Sequence, residues 1–246
     1  MNKLKVILRF NDTNTNNKIK PSYITEENCL KNLVRHFSIE NFIDIMIFAD
    51  NISDESYDML LKHVLKSQIK RINIGTDAGT FRNSLEYALT LDDNYYVYFA
   101  ENDYLYRKGS REVLLDGLKN IGASFVSLYD HPDKYLSAKK GGNPYIEDDE
   151  GEVSKVYCGK YCHWKLTNST TMAFATSVKT LKQVKHIIKT YTSDDHSFDF
   201  DMFIEIREMN KSIITPIPSY STHGETAWLA PLIDWEREIY LMDPPC

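Results

Sequence analysis

Glu101 and Asp103 flank one amide residue, Asn102, directly after the apolar run Tyr95-Tyr96-Val97-Tyr98-Phe99-Ala100. Carboxylate oxygens are hard ligands, and two of them one residue apart face the same side of an extended chain, where they can address one divalent cation. A solvated turn at a strand end explains the same triplet without any ligand. Cys158, Cys162 and His163 offer three soft ligands close together, but no second pair follows and structural zinc sites use four. Ordinary reduced thiols in a hairpin are expected there, and Cys29 and Cys246 do not complete a disulfide framework. A third cluster, Asp194, Asp195, Asp199 and Asp201, crowds the start of an expected helix. Carboxylates in that place cap and complement the helix dipole, and one of them can act as a general base.

These groups must be held by the elements around them. The run before Glu101 is aromatic and β-branched, the composition of a buried strand, and open α/β sheets bind ligands beyond the carboxyl ends of such strands. Three similar segments precede it, at Lys5–Phe10, Ile43–Ala49 and Ile69–Ile74. Helical spacing lies between them, from Thr25 to His36, from Ser53 onward and from Thr80 to Leu89. This alternation predicts an α/β fold with a largely parallel central sheet flanked by helices. After Asp103 come an expected helix over Ser110–Asn120, a strand over Ser124–Leu128 and a polar stretch, Tyr129–Gly159, that holds Lys139-Lys140-Gly141-Gly142-Asn143-Pro144 and Glu147-Asp148-Asp149-Glu150-Gly151-Glu152. Strand-like Val156–Leu166 and Thr170–Thr176, helices over Ser177–Thr190 and Phe198–Met209, a last strand at Ile213-Ile214 and a tail from Thr215 complete the chain.

With 246 residues, 42% apolar and 26% charged, the chain has the composition of an ordinary globular protein, and one domain is expected. The net charge of −6 argues against a nucleic-acid partner. No run of about 18 apolar residues occurs. Met1-Asn2-Lys3-Leu4-Lys5 opens straight into a strand pattern, so no signal peptide or transmembrane segment is expected. The expected location is the cytoplasm, including the cytoplasmic face of a membrane.

The order of the polar strand ends resembles that of the GT-A glycosyltransferases, nucleotide-sugar-dependent enzymes of the family-2-like kind. The elements that carry the resemblance are Arg9-Phe10-Asn11, Ala49-Asp50-Asn51, the turn Gly75-Thr76-Asp77-Ala78-Gly79-Thr80-Phe81-Arg82-Asn83, and Glu101-Asn102-Asp103. The last departs from the commoner Asp-x-Asp form by having Glu first. The tail Pro216-Ile217-Pro218-Ser219-Tyr220-Ser221-Thr222-His223-Gly224 is most similar to small chlorovirus glycosyltransferase domains.

The resemblance implies a single GT-A domain, with a nucleotide-sugar-binding half over 1–106, an acceptor-binding half with a smaller antiparallel hairpin region over 107–225, and a tail over 226–246. It implies an inverting glycosyltransferase that moves a sugar from a nucleoside-diphosphate sugar, first of all a UDP-sugar, to a hydroxyl of a glycan or glycolipid acceptor. Arg9, Asn11, Asp50, Asn51, Gly79, Arg82 and Asn102 fall at the donor nucleotide. Asp50 can accept from the N3–H of uracil or from ribose hydroxyls, or merely cap the helix after it. Arg82, in the first turn of a helix where an anion is favoured, can grip the diphosphate or remain a solvated residue. Asp103, Glu101 directly or through water, and His223 are the implied ligands of Mn2+ or Mg2+, the His favouring Mn2+. Asp201 matches the position of the catalytic base best and Asp199 follows it. Trp164 is expected to stack on the acceptor sugar. Two other readings stay open. A nucleotidyltransferase would carry a glycine-rich basic loop after the first strand, and residues 11–20 hold no glycine. A non-catalytic nucleotide- or carbohydrate-binding module would bind without turnover.

Overall fold

In the computed structural model, which describes residues 3–12, 19–38, 44–140, 142 and 151–240, four strands carry the first half. They are β1 (Lys3–Phe10), β2 (Ile45–Asp50), β3 (Ile69–Ile72) and β4 (Tyr95–Glu101), joined through α1 (Glu26–Phe37), α2 (Asp54–Leu61) and α3 (Asp77–Leu89). The second half contributes β5 (Tyr104–Tyr106), α4 (Ser110–Asp116), β6 (Phe125–Val126), β7 (Val156–Cys158), β8 (His163–Leu166) and β9 (Ala175–Ser177). It closes with α5 (Val178–Tyr191), α6 (Asp199–Glu208), β10 (Ile213–Ile217), β11 (Ser221–His223) and α7 (Trp235–Tyr240). Nine strands form one sheet in the order β3-β2-β1-β4-β9-β6-β10-β8-β7, and β5 pairs with β11 in a separate ribbon. Strands β1 to β4 are mutually parallel, β9 runs against β4 and β6, and β7, β8 and β10 form an antiparallel edge. The expected α/β class with a mostly parallel sheet is the observed one. No helix among the described residues is long and apolar enough to cross a membrane.

Side-chain alternation divides the core. On β1 and β4, Val6, Leu8, Phe10, Tyr98 and Ala100 pack with Leu30 and Leu33 of α1, Leu60 of α2 and Leu114 of α4. Ile7, Val97 and Phe99 face the other way, onto Phe81 of α3, Val184 of α5 and Met202 of α6. Helices α1, α2, α3 and α5 start where hydroxyl side chains can accept from their first turns: Thr25 from Asn28 N, Ser53 from Ser56 N, Thr76 from Gly79 N and Ser177 from Thr180 N. Thr76 thereby opens α3 at Asp77, three residues earlier than the sequence pattern suggested.

Three expectations are corrected by packing. Trp164 is fully buried, so it does not stack on an acceptor. Its indole fills space left by two glycines, since a Cβ at Gly159 would stand 2.5 Å from Nε1 and one at Gly117 2.9 Å from Cη2. The hairpin expected around Cys158 and Cys162 is present, as β7 and β8 about a turn, whereas the stretch from Thr215, expected as a tail, holds the rest of β10, β11 and α7. Asp194 and Asp195 do not cap α6, whose N-cap is Phe198 with no side-chain hydrogen bond. Ile43, Gly141, residues 143–150 and Cys246 lie outside the described residues.

Candidate active site

The carboxyl ends of β1, β2 and β4 meet the amino end of α3 around a cavity of about 400 Å3. Of the residues expected at the donor and metal, Arg9, Asn11, Asp50, Asn51, Glu101, Asn102, Asp103 and His223 line it together. Gly79, Arg82, Asp199 and Asp201 do not belong to its lining. Arg82 Nη1 donates instead to the Asp194 carbonyl at 3.2 Å.

Glu101 and Asp103 line the same cavity but pair with different side chains. The chain turns at Asn102-Asp103 before entering β5, which ends the extended geometry that would have aligned them. Glu101 stays on the α3 side of the sheet, where Arg9 Nη2 donates to its carboxylate. Arg9 Nη1 donates to Asp77 Oδ1 at 2.8 Å, and the guanidinium lies 5.1 Å over the Phe81 ring. Burial pushes the Glu101 carboxyl above its usual range, with Arg9 pulling the other way and Asp77 and Asp103 adding to the rise.

Asp103 turns towards β11. Its Oδ2 lies 3.2 Å from His223 Nε2 and 3.2 Å from Lys20 Nζ. The register of β5 against β11 sets His223 opposite Tyr104, whose ring meets the imidazole edge-on with centroids 5.3 Å apart. Glu225 N–H donates to His223 Nδ1 at 3.4 Å, so in this arrangement the ring proton lies on Nε2, which faces Asp103, and a cation on Nε2 would need that proton to move to Nδ1 and this contact to open. Among the described residues no group of three His, Cys, Asp or Glu side chains is clustered to hold a metal ion. One carboxylate would leave the remaining oxygen ligands of Mg2+ to water and a phosphorylated substrate, and a nitrogen donor beside it would favour Mn2+.

Asp50 is engaged by the next turn rather than capping α2. It accepts from Ile74 N at 2.7 Å, Gly75 N at 3.0 Å and Thr80 Oγ1 at 2.5 Å. Gly75 has φ +80°, a conformation that favours glycine, and a Cβ there would stand 3.2 Å from Asn51 Nδ2. Asn51 is itself left-handed with φ 52°, and its N–H donates to Ile72 O at 3.1 Å. Asn102 Nδ2 donates to Asn11 O at 2.6 Å, tying the β1 and β4 ends into one rim.

The two base candidates have different surroundings. Asp201 is exposed. Asp199 is half-buried at the start of α6, and burial pushes its carboxyl up to about 6 against the pull of its own and Phe200's backbone N–H groups, then Lys134 and His196. Lys134 is buried, donates to Asn168 Oδ1 at 2.8 Å and Ser169 Oγ at 2.5 Å, and lies 5.8 Å over the Phe200 ring. The loop before α6 is fastened to α3: Ser197 Oγ donates to Asp77 Oδ2 at 3.0 Å and Ala78 N to Asp195 O at 3.3 Å.

Lys20, Glu26, Asp77 and His196 line the cavity without having been singled out in the sequence. Asp77 sits inside the glycine-bearing turn that was, and its adjacency to a helix start was the available signal. His196 lies within the acidic cluster before α6, which was the signal for it, whereas no local pattern marks Lys20 and Glu26.

No protein-family model matches the chain, and no curated protein matches it. Solved structures do. TarS residues 1–349 from S. aureus align at 13% identity with a TM-score of 0.52, over 89% of this chain and 59% of that one. A longer S. aureus TarS chain aligns at 15% identity and TM-score 0.52, with 36% of its length covered. The 4-diphosphocytidyl-2C-methyl-D-erythritol synthase of Anaerococcus prevotii aligns at 13% identity and TM-score 0.50, over 98% of this chain and 94% of that one. At these identities the likeness is one of fold.

Proposed function

We infer that the chain is an inverting, metal-assisted glycosyltransferase of the GT-A kind that uses a nucleoside-diphosphate sugar, a UDP-sugar first of all, and a hydroxyl acceptor on a glycan or glycolipid. The observation that carries this reading is the Asp103–His223 pair, 3.2 Å apart, in a cavity at the carboxyl edge of the sheet with a large surplus of acids. Among the described residues, Glu26, Asp50, Asp77, Glu101 and Asp103 line it against Arg9 and Lys20 as permanently charged bases. A bare diphosphate would be repelled there, whereas one that arrives with Mg2+ or Mn2+ would be accepted.

Asp103 and His223 would hold that cation, and bound there it would supply Lewis-acid stabilisation of the departing diphosphate. Arg9 keeps the Glu101 and Asp77 carboxylates apart and fixed. The Asn102-to-Asn11 hydrogen bond shapes the rim on which the base of the nucleotide would lie. Asp199, three residues beyond the cavity-lining His196, is our general base. It takes the proton of the acceptor hydroxyl as that oxygen attacks the anomeric carbon from the face opposite the phosphate. The carbon–oxygen bond to phosphate breaks and its electron pair leaves on the nucleoside diphosphate.

Incubation with a panel of nucleotide sugars, Mn2+ and mixed glycans tests the reading. Free nucleoside diphosphate with sugar on the acceptor is expected. Release of inorganic pyrophosphate from a nucleoside triphosphate and a sugar phosphate, without sugar transfer, would replace it by nucleotidyl transfer.

A further inference from the structure

Ten residues beyond β1 the chain returns to the cavity at Lys20. A backbone hydrogen bond holds it there: Thr226 N–H donates to Ile19 O at 2.8 Å, three residues past His223. The segment that delivers His223 to Asp103 therefore also fixes the root of Lys20, and both side chains meet the same carboxylate oxygen. A second acid stands in the same field, since Glu26 feels both Lys20 and Asp103. The Lys20 side chain is 32% exposed and that of Asp103 17%, so the ammonium borders the open cavity while it pairs.

The other permanently charged base lining the cavity among the described residues is placed differently. Arg9 is 5% exposed, and its guanidinium is spent on Asp77 and Glu101. Turning it to a ligand would take its charge away from Glu101, only a quarter exposed, and break its bond to the exposed Asp77, so the buried guanidinium is held where it is. Lysine is a compact charge on a flexible four-carbon stem and can exchange partners by rotating its own bonds. It also occupies the oxygen that a divalent cation at Asp103 would need.

We propose that Lys20 is a displaceable counter-ion, paired with Asp103 while the cavity is empty and moved onto a phosphate oxygen of the bound diphosphate when a divalent cation takes Asp103. This rests on the metal–diphosphate reading above. Lys20 then opposes metal binding in the empty protein and favours diphosphate binding in the loaded one. Loss of the ammonium has opposite effects on the two ligands, which a merely structural lysine would not produce.

The test compares wild type, Lys20→Met and Lys20→Arg, using Mn2+ alone followed by electron paramagnetic resonance, and inorganic pyrophosphate complexed with Mg2+ followed by calorimetry. Lys20→Met should bind Mn2+ about threefold tighter, the scale of a part-exposed ion pair. It should bind pyrophosphate about tenfold or more weakly, the scale of a hydrogen bond to a charged group. Lys20→Arg should keep pyrophosphate affinity within about threefold of wild type, because the charge remains. Wild type that binds both ligands while Lys20→Met matches it, or weakens both, overturns the role of Lys20 alone. Wild type that binds neither overturns the metal–diphosphate reading and the role of Lys20 with it.

Discussion

Asp199 and Asp201 are two residues apart in α6, yet only Asp199 is set back from solvent, and burial raises its carboxyl to about 6. An acid in that range is ionised at neutral pH and still holds a proton well, the compromise a general base needs. Transfer should therefore rise with pH through about 6 and level off above it, as read from kcat/KM in a pH series. Folding carries the opposite sign. The carboxyl group binds its proton more tightly in the folded chain than in the unfolded one, so its contribution to stability is full below about 4 and is lost as pH rises through about 6. Asp199→Asn should abolish transfer and spare nucleotide binding. It should also raise stability at pH 7–8 by about 1–2 kcal/mol, a figure halved for residual solvent contact, and by almost nothing at pH 4. Thermal melts at the two pH values check this, and an Asp199→Asn enzyme with full turnover would move the base to Asp201. The sequence showed that an acid at this helix start was wanted. Choosing between the two needed their burial, which the four clustered aspartates do not encode.

At the scale of elements, the turn between β3 and α3 is built on Asp50. Its carboxylate accepts two backbone N–H groups and one hydroxyl, and Thr76 starts the helix that follows. Asp50→Ala would leave Ile74 and Gly75 N–H without acceptors. A loss of about 2–4 kcal/mol is expected in urea unfolding, larger than an exposed acid would give. The first four strands and three helices were legible because each spans several residues with a clean apolar period. Strands β5 and β11 were not, at three residues each, and yet their pairing is what carries His223 to Asp103. The same shortness hid the break after β4 that sends Glu101 to Arg9. An acid-x-acid pattern shows composition, whereas its geometry depends on where the strand stops.

Over the whole molecule, one sheet separates two cores, and half-buried or buried charged side chains gather in two notable places. One is the cavity. The other is a buried network in the second half, where Lys165 Nζ lies 2.9 Å from Asp130 and 3.5 Å from Glu152. Glu152 in turn accepts from Asn168 N at 2.7 Å. Lys165→Ala strands two buried carboxyl groups and should cost about 3–5 kcal/mol in equilibrium unfolding. The cavity predicts a different response. Its surplus of acids should make Mn2+ raise the Tm of the nucleotide-free chain more than NaCl of equal ionic strength does, an increment that Asp103→Ala removes.

The most direct measurement is a thermal-shift screen of UDP, GDP, CMP and dTDP sugars, with and without Mn2+, on wild type and on Asp103→Ala. One nucleotide, UDP first, should stabilise wild type only when Mn2+ is present, by about 2.7 kcal/mol at a hundredfold excess over Kd, and should leave Asp103→Ala unmoved. Stabilisation that ignores Mn2+ or survives Asp103→Ala, or no stabilisation by any nucleotide sugar, would contradict the account.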